Sequence, residues 1–171
     1  VASGTAAGYI GAKPPAETPM TIASRLADLG IVLPEPAAAV ANYVPAVRSG
    51  DLLYISGQLS NDASGGIKGT IGVDVSLDQA VAGARLCGIN LLAQMQAALG
   101  GNLDRVARIV KLGGFVQAGP EFVDIPKVIN GGSDLMVEVF GDAGRHARSA
   151  VGVYRLPLGF AVEIDAIVEV K

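Results

Sequence analysis

The 171-residue chain has one cysteine, one histidine and no tryptophan, and only 17% of its residues are charged. Each scarcity removes a class of structure. A single thiol, Cys87, permits no intrachain disulfide, and with His146 as the sole histidine there is no Cys/His set to hold zinc. One unpaired thiol fits a reducing compartment. Thirteen Lys and Arg against sixteen Asp and Glu leave a net charge of -3, which supplies no electrostatic footprint for a phosphate backbone or an anionic lipid surface. No run approaches the ~18 consecutive apolar residues of a membrane-spanning helix, because Pro, Gly, Asn or a charge interrupts each one. The first twenty residues lack the basic start and apolar stretch of a secretory signal, so the expected location is the cytoplasm.

Apolar residues are abundant, at 50%. Ordinary soluble chains carry roughly 25% charged residues, and a domain of this length buries about 70% of its unfolded-chain surface. The shortfall of charge on what stays exposed therefore points to surface covered by other subunits. One domain over residues 20–171 is expected. Residues 1–19 hold Gly4, Gly8, Gly11 and Pro14-Pro15 without helical or strand periodicity, and read as an extension, native or appended.

Ile22, Leu26 and Leu29 line one face of a short helix that Gly30 stops. Asn42–Arg48 and Asp51–Ser56, separated by Ser49-Gly50, have the spacing of a hairpin, and Ser60–Gly72 reads as an exposed loop. Ser76 and Gln79 form a capping box ahead of a long helix whose stripe runs from Leu77 through Val81, Ala84, Gly88, Leu91 and Met95 to Ala98, with Gly100 as its stop. Arg105–Val116 is apolar and β-branched enough for a central strand. Glu121–Phe140 suits a second helix with a break at Gly131-Gly132. Arg148–Arg155 and Phe160–Val170 are strands joined by Leu156-Pro157-Leu158-Gly159 and read as a closing pair. In the last of them Phe160, Val162, Ile164, Ala166, Val168 and Val170 share one face, and Glu163, Asp165 and Glu169 the other. The sum is an α+β fold, a sheet with helices on one face, whose open face needs cover. Gly-rich Ser64-Gly65-Gly66 and Gly113-Gly114 lack the Lys-Ser/Thr ending of a phosphate loop and read as turns or bends.

Tyr43, the run Asp51-Leu-Leu-Tyr-Ile-Ser-Gly-Gln58, and Arg148-Ser149 leading through Leu156-Pro157 to Val162-Glu163-Ile164-Asp165-Ala166-Ile167 resemble the Rid family of reactive-intermediate deaminases, also called YjgF-like and often labelled endoribonuclease L-PSP-like. The similarity spans roughly residues 40–171. Val128-Ile-Asn-Gly-Gly-Ser-Asp-Leu135 and Gly144-Arg-His-Ala-Arg-Ser-Ala-Val-Gly152 look like a divergent branch of that family. The resemblance implies a chorismate-mutase-like mixed β-sheet with two main helices on one face, assembled as a homotrimer with ligand sites in the intersubunit clefts. It implies that Arg148 clamps the carboxylate of a 2-imino acid and that Glu163 holds the attacking water. Ser56 and Gly57 match pocket residues and Tyr43 an aromatic against the ligand. Ala150 stands where the deaminase branch often has Cys, a position whose backbone carbonyl can serve the pocket. The segment 130–134 has no position-by-position match. No metal or organic cofactor is implied.

Read without that family register, Arg148 is a solvated strand-start arginine or a partner in an intersubunit salt bridge, and Glu163 an outward carboxylate on an alternating strand. If Arg155 sits opposite Phe160, Gly152 faces Glu163, and Arg148 lies roughly 13 Å further along at ~3.3 Å per residue, so the two flank a ligand and do not pair. His146, between Arg145 and Arg148, is a candidate general base, its pKa lowered by both arginines; a lone loop histidine is more often structural. Cys87, mid-helix with no His nearby, reads as a packing residue. The leading function is hydrolysis of reactive 2-imino or enamino acids, or of a related small carboxylate. The alternatives are a non-catalytic metabolite-binding protein and, against the charge and the few aromatics, an endoribonuclease or translation inhibitor.

Overall fold

Short polar side chains open the helices, and glycines close several of the turns. In the computed structural model, which describes residues 20–36 and 42–171, the Thr21 hydroxyl accepts the Ser24 amide and starts α1 (Ile22–Asp28), and Gly30 at φ 66° follows its end. The expected extension, 1–19, lies outside the described residues. β1 (Ala46–Ser49) and β2 (Leu52–Leu59) form the hairpin, with Ser49 opposite Leu52, so the turn is Gly50-Asp51, one residue later than expected. β1 is also shorter than its apolar run, because Pro45 has no amide to continue the ladder. β2 continues past Ser56 through a bulge between Ile55 and Gln58.

α2 (Leu77–Ala98) begins with the predicted capping box, Gln79 N–H to Ser76 Oγ at 3.2 Å and Ser76 N–H to Gln79 Oε1 at 2.9 Å. β3 (Val106–Gln117), α3 (Ile125–Phe140), β4 (Ala147–Val153) and β5 (Val162–Val170) follow. Among the described residues no helix is long and apolar enough to cross a membrane.

The sheet order is β1-β2-β5-β3-β4. This corrects the expected closing pair: β4 and β5 do not touch as neighbours but flank β3 on its two sides, β5 antiparallel and β4 parallel. β3, α3 and β4 make a strand–helix–strand crossover, which forces the parallel pairing. Alternation fixes which residues of β5 face the core, with 162, 164, 166, 168 and 170 buried, but says nothing about which strand lies beside it. A second correction concerns Gly113-Gly114, which is neither turn nor bend. The pair lies inside β3, where a Cβ on Gly114 would come within 2.6 Å of Ile129 on α3.

α3 also runs unbroken through Gly131-Gly132, contrary to the break expected there. The two glycines serve packing: a Cβ on Gly131 would land on the Val81 carbonyl oxygen of α2, and one on Gly132 would sit 2.7 Å from Ile164 of β5. Both helices lie on one face of the sheet, over a core that includes Cys87, Leu91, Met95, Leu112, Ile129 and Ile164. Cys87 donates to the Val162 carbonyl at 3.4 Å, and burial pushes its thiol well above the ordinary range. Gly131→Ala is expected to lower unfolding stability by about 2 kcal/mol, since overpacking against rigid backbone costs ~1–3 kcal/mol and outweighs the gain in helix propensity. Urea titration reads this as a lower midpoint at unchanged slope.

Candidate functional site

β4 is an edge strand, and its register decides where Arg148 points. Arg148 aligns with Leu112 of β3, which aligns with Ala166 of β5; both neighbours are buried under the helices. Arg148 therefore emerges on the helix-covered face, beside α3. Its Nη1 donates to Asn130 Oδ1 at 2.9 Å and to Ser133 Oγ at 3.0 Å. Asn130 and Ser133 share a helix face because they are three residues apart. Among the described residues no carboxylate pairs with Arg148. Ala150, two residues on, shares this face and packs on the core.

Ser133 Oγ also lies 3.0 Å from His146 Nε2, and His146 Nδ1 lies 2.6 Å from the Gly144 carbonyl. A carbonyl only accepts, so Nδ1 carries the proton, Nε2 is the acceptor and the Ser133 hydroxyl donates to it. Burial, helped by the Arg148 charge and opposed by the Gly144 hydrogen bond, holds the imidazole below its usual pKa of about 6.5, so the ring is neutral at pH 7.

Glu163 lies on the opposite face. It pairs with Phe115 of β3 and Leu59 of β2, and its carboxylate covers Gly57, where a Cβ would fall on Oε1. Gly57 belongs to the β2 bulge, which the Ser56 hydroxyl fixes by donating to the Val44 carbonyl at 2.9 Å while the Ser56 amide donates to the Pro45 carbonyl. Tyr43, adjacent in sequence to this anchored segment, is exposed. Asp165 shares the face with Glu163 and accepts from the Gly113 amide at 3.1 Å. Burial raises the Glu163 pKa, and the Asp165 charge adds to the shift; burial also raises Asp165, against the Gly113 amide and Lys111.

The sequence-predicted residues thus fall into two groups. Arg148, Ala150 and His146 share the α3 side, and Ser56, Gly57 and Glu163 share the open face. The hairpin estimate of the Arg148–Glu163 spacing is replaced by sheet geometry: two strands across at ~4.8 Å each and three residues along, an α-carbon separation of roughly 14 Å with side chains diverging. Sequence reasoning leaves the pocket segment 130–134 unassigned, so it does not single out Asn130 or Ser133, and it gives Asp165 no role. Their signals were present in the i, i+3 polar pair on an apolar helix and the i, i+2 carboxylates on β5. Among the described residues no group of three His, Cys, Asp or Glu could hold a metal ion.

Residues 23–166 match the family described as "YjgF/chorismate_mutase-like, putative endoribonuclease". Protein TCP17 of Trypanosoma cruzi is 50% identical over 152 residues, 88% of this chain and 94% of that protein. The crystal structure of Atu1372 from Agrobacterium tumefaciens, a protein of unknown function, is 49% identical with a TM-score of 0.82, covering 88% of this chain and 92% of that one. E. coli TdcF with bound serine is 25% identical with a TM-score of 0.57, covering 80% and 94%. With the mixed five-stranded sheet, the two main helices on one face and these matches, the chain belongs to the YjgF/Rid family and has its chorismate-mutase-like fold.

Proposed function

We propose that the protein hydrolyses 2-imino or enamino acids, or a closely related small carboxylate, to the keto acid and ammonia, in clefts between the copies of a homotrimer. The observation that carries this reading is Arg148: a partly buried guanidinium oriented by two neutral side chains, with no carboxylate of its own among the described residues. A planar cation held that way is arranged for an incoming carboxylate, which it takes by two parallel charge-assisted hydrogen bonds. The serine bound to TdcF is a ligand of that class in a related protein.

A protonated imine is electrophilic without metal or redox help, so the reaction needs a clamp, a held water and proton acceptors. Glu163, half-buried and raised in pKa, suits the water. Because Arg148 and Glu163 of one copy face opposite sides of the sheet, a shared ligand calls for Glu163 from a second copy. Val47 (52% exposed), Tyr54 (43%) and Val151 (47%) give the open face apolar surface for that contact. The single buried thiol suits a reducing compartment such as the cytoplasm.

Imino acids generated in situ by an amino-acid oxidase test the reading. Arg148→Ala is expected to lower kcat/KM by about 100-fold or more, since hydrogen bonds to charged groups contribute ~1.5–3 kcal/mol each, and Arg148→Lys to restore part of the loss. Unchanged conversion in Arg148→Ala refutes the clamp. Glu163→Gln is expected to lower kcat and to raise the melting temperature at pH 7. A carboxyl with a raised folded pKa contributes stability below its unfolded value, lost as pH rises through the folded one. The melting difference should therefore vanish near pH 4, which differential scanning calorimetry at the two pH values reads.

A further inference from the structure

We propose that His146, acting through the Ser133 hydroxyl, is the proton acceptor on the Arg148 side of the site, and this rests on the carboxylate-clamp reading above. The geometry is a continuous chain. Gly144 carbonyl to His146 Nδ1 is 2.6 Å, His146 Nε2 to Ser133 Oγ 3.0 Å, and Ser133 Oγ to Arg148 Nη1 3.0 Å. A serine hydroxyl has one proton and two lone pairs. Here the proton goes to Nε2 and one lone pair to Arg148, which leaves one lone pair to accept from a group bound beside the guanidinium. Asn130 accepts from the same Nη1, so its amide hydrogens are left to donate toward that ligand.

Among the described residues no other base bonds to this relay: Asp134 and Glu138 of α3 are exposed, and Glu138 pairs with Arg85 of α2 at 2.7 Å. β4 contributes Arg148 and the turn before it Arg145, which pairs with Asp142 at 3.3 Å on the surface; α3 contributes Ser133, which is neutral. Glu163 is on the far face of the same sheet. The neutral state of the half-buried ring leaves Nε2 with its lone pair at pH 7.

The two bases divide the reaction. Water adds to the protonated imine carbon; its proton goes to Glu163 of a second copy and the C=N π pair to nitrogen, giving the carbinolamine. Glu163 then returns that proton to the amine. As the C–N bond breaks and its electron pair leaves with ammonia, the carbinol O–H pair forms C=O, and the hydroxyl proton passes to Ser133 Oγ while the Ser133 proton passes to His146 Nε2. The imidazolium gives its proton to ammonia through solvent. The sum is iminium plus water giving keto acid plus ammonium.

The test is the pH profile of kcat for the wild type, His146→Gln, Ser133→Ala and Glu163→Gln. The wild type should lose activity toward acid through a group titrating below the ordinary imidazole value of ~6.5. His146→Gln should fall by about 100-fold, the lower range for general acid–base catalysis, and lose that limb. Ser133→Ala should lose the limb although the imidazole is present, and Glu163→Gln should keep it. Added imidazole should restore His146→Ala, faster for more basic imidazoles. Nitrogen NMR of the wild type should show the Nδ1–H tautomer, with the His146 titration moved upward by pyruvate. Wild-type turnover with the limb intact in His146→Gln, or an Nε2–H tautomer, overturns the relay and leaves the deaminase reading standing; no turnover by the wild type overturns the deaminase reading and the relay with it.

Discussion

The backbone-level approach of α3 to α2 and to the sheet is the constraint on which the Arg148 side depends. Gly131 meets the Val81 carbonyl, Gly132 meets Ile164, and Gly114 leaves the space that Ile129 fills. A side chain at any of the three would force a shift in α3 or in the group opposite, least avoidably at Gly131, where that group is backbone. Asn130 and Ser133 reach Arg148 at 2.9 and 3.0 Å only while α3 lies that low. The packing also sets the histidine: the turn 141–144 leaves the end of α3, and its Gly144 carbonyl fixes the ring proton. The arrangement on this side is a consequence of three missing β-carbons.

The sheet itself separates the functional groups. β5, central and antiparallel to both neighbours, alternates without interruption, so its core set and its carboxylates are forced to opposite faces. β4, parallel to β3 through the α3 crossover, carries Arg148 in the core register. One copy therefore offers a cation on the helix side of an edge and carboxylates over the open face. The low charge content of the chain has the same origin. Few charges are present, and several are partly buried with little to offset them among the described residues: Arg148 has no carboxylate, and Glu163 and Asp165 stand beside one another with Lys111 and the Gly113 amide acting on Asp165. Such groups are costly unless something else completes their surroundings.

Elements with a local signature were legible in the sequence. The capping box of Ser76 and Gln79, the stop at Gly30, the hairpin of β1 and β2 and the alternation of β5 all depend on residues close in the chain. What depends on partners far along the chain was not. Alternation carries no information about the neighbouring strand, so it does not reveal that β4 and β5 are apart, and Gly113-Gly114 and Gly131-Gly132 look like punctuation although their role is contact with side chains or backbone 15 to 52 residues away. The same division holds at the site. His146 stood out by being unique, whereas Asn130 and Ser133 became visible only once a parallel register put Arg148 against α3. The face on which each residue stands, which decides what it can share a ligand with, follows from sheet order and not from spacing.

Charge also separates the proposed chemistry from the nuclease label attached to the family. An RNA groove draws its affinity from several phosphate contacts, each made by a Lys or Arg that releases counterions, and from aromatic faces on which bases stack. This chain has a net charge of -3 and four Phe and four Tyr in 171 residues. Its open face sets Glu163, Asp165 and Glu169 along the central strand with Arg108 and Lys111 of β3 beside them, so its charges are mixed and form no run of cations for a phosphate backbone. The Arg148 guanidinium, which no carboxylate pairs among the described residues, is fixed by Asn130 and Ser133 in an orientation suited to a single planar anion. A polyanion gains from many mobile cations, whereas a small carboxylate gains most from one that is already aimed, because the side-chain entropy of aiming it has been spent in folding.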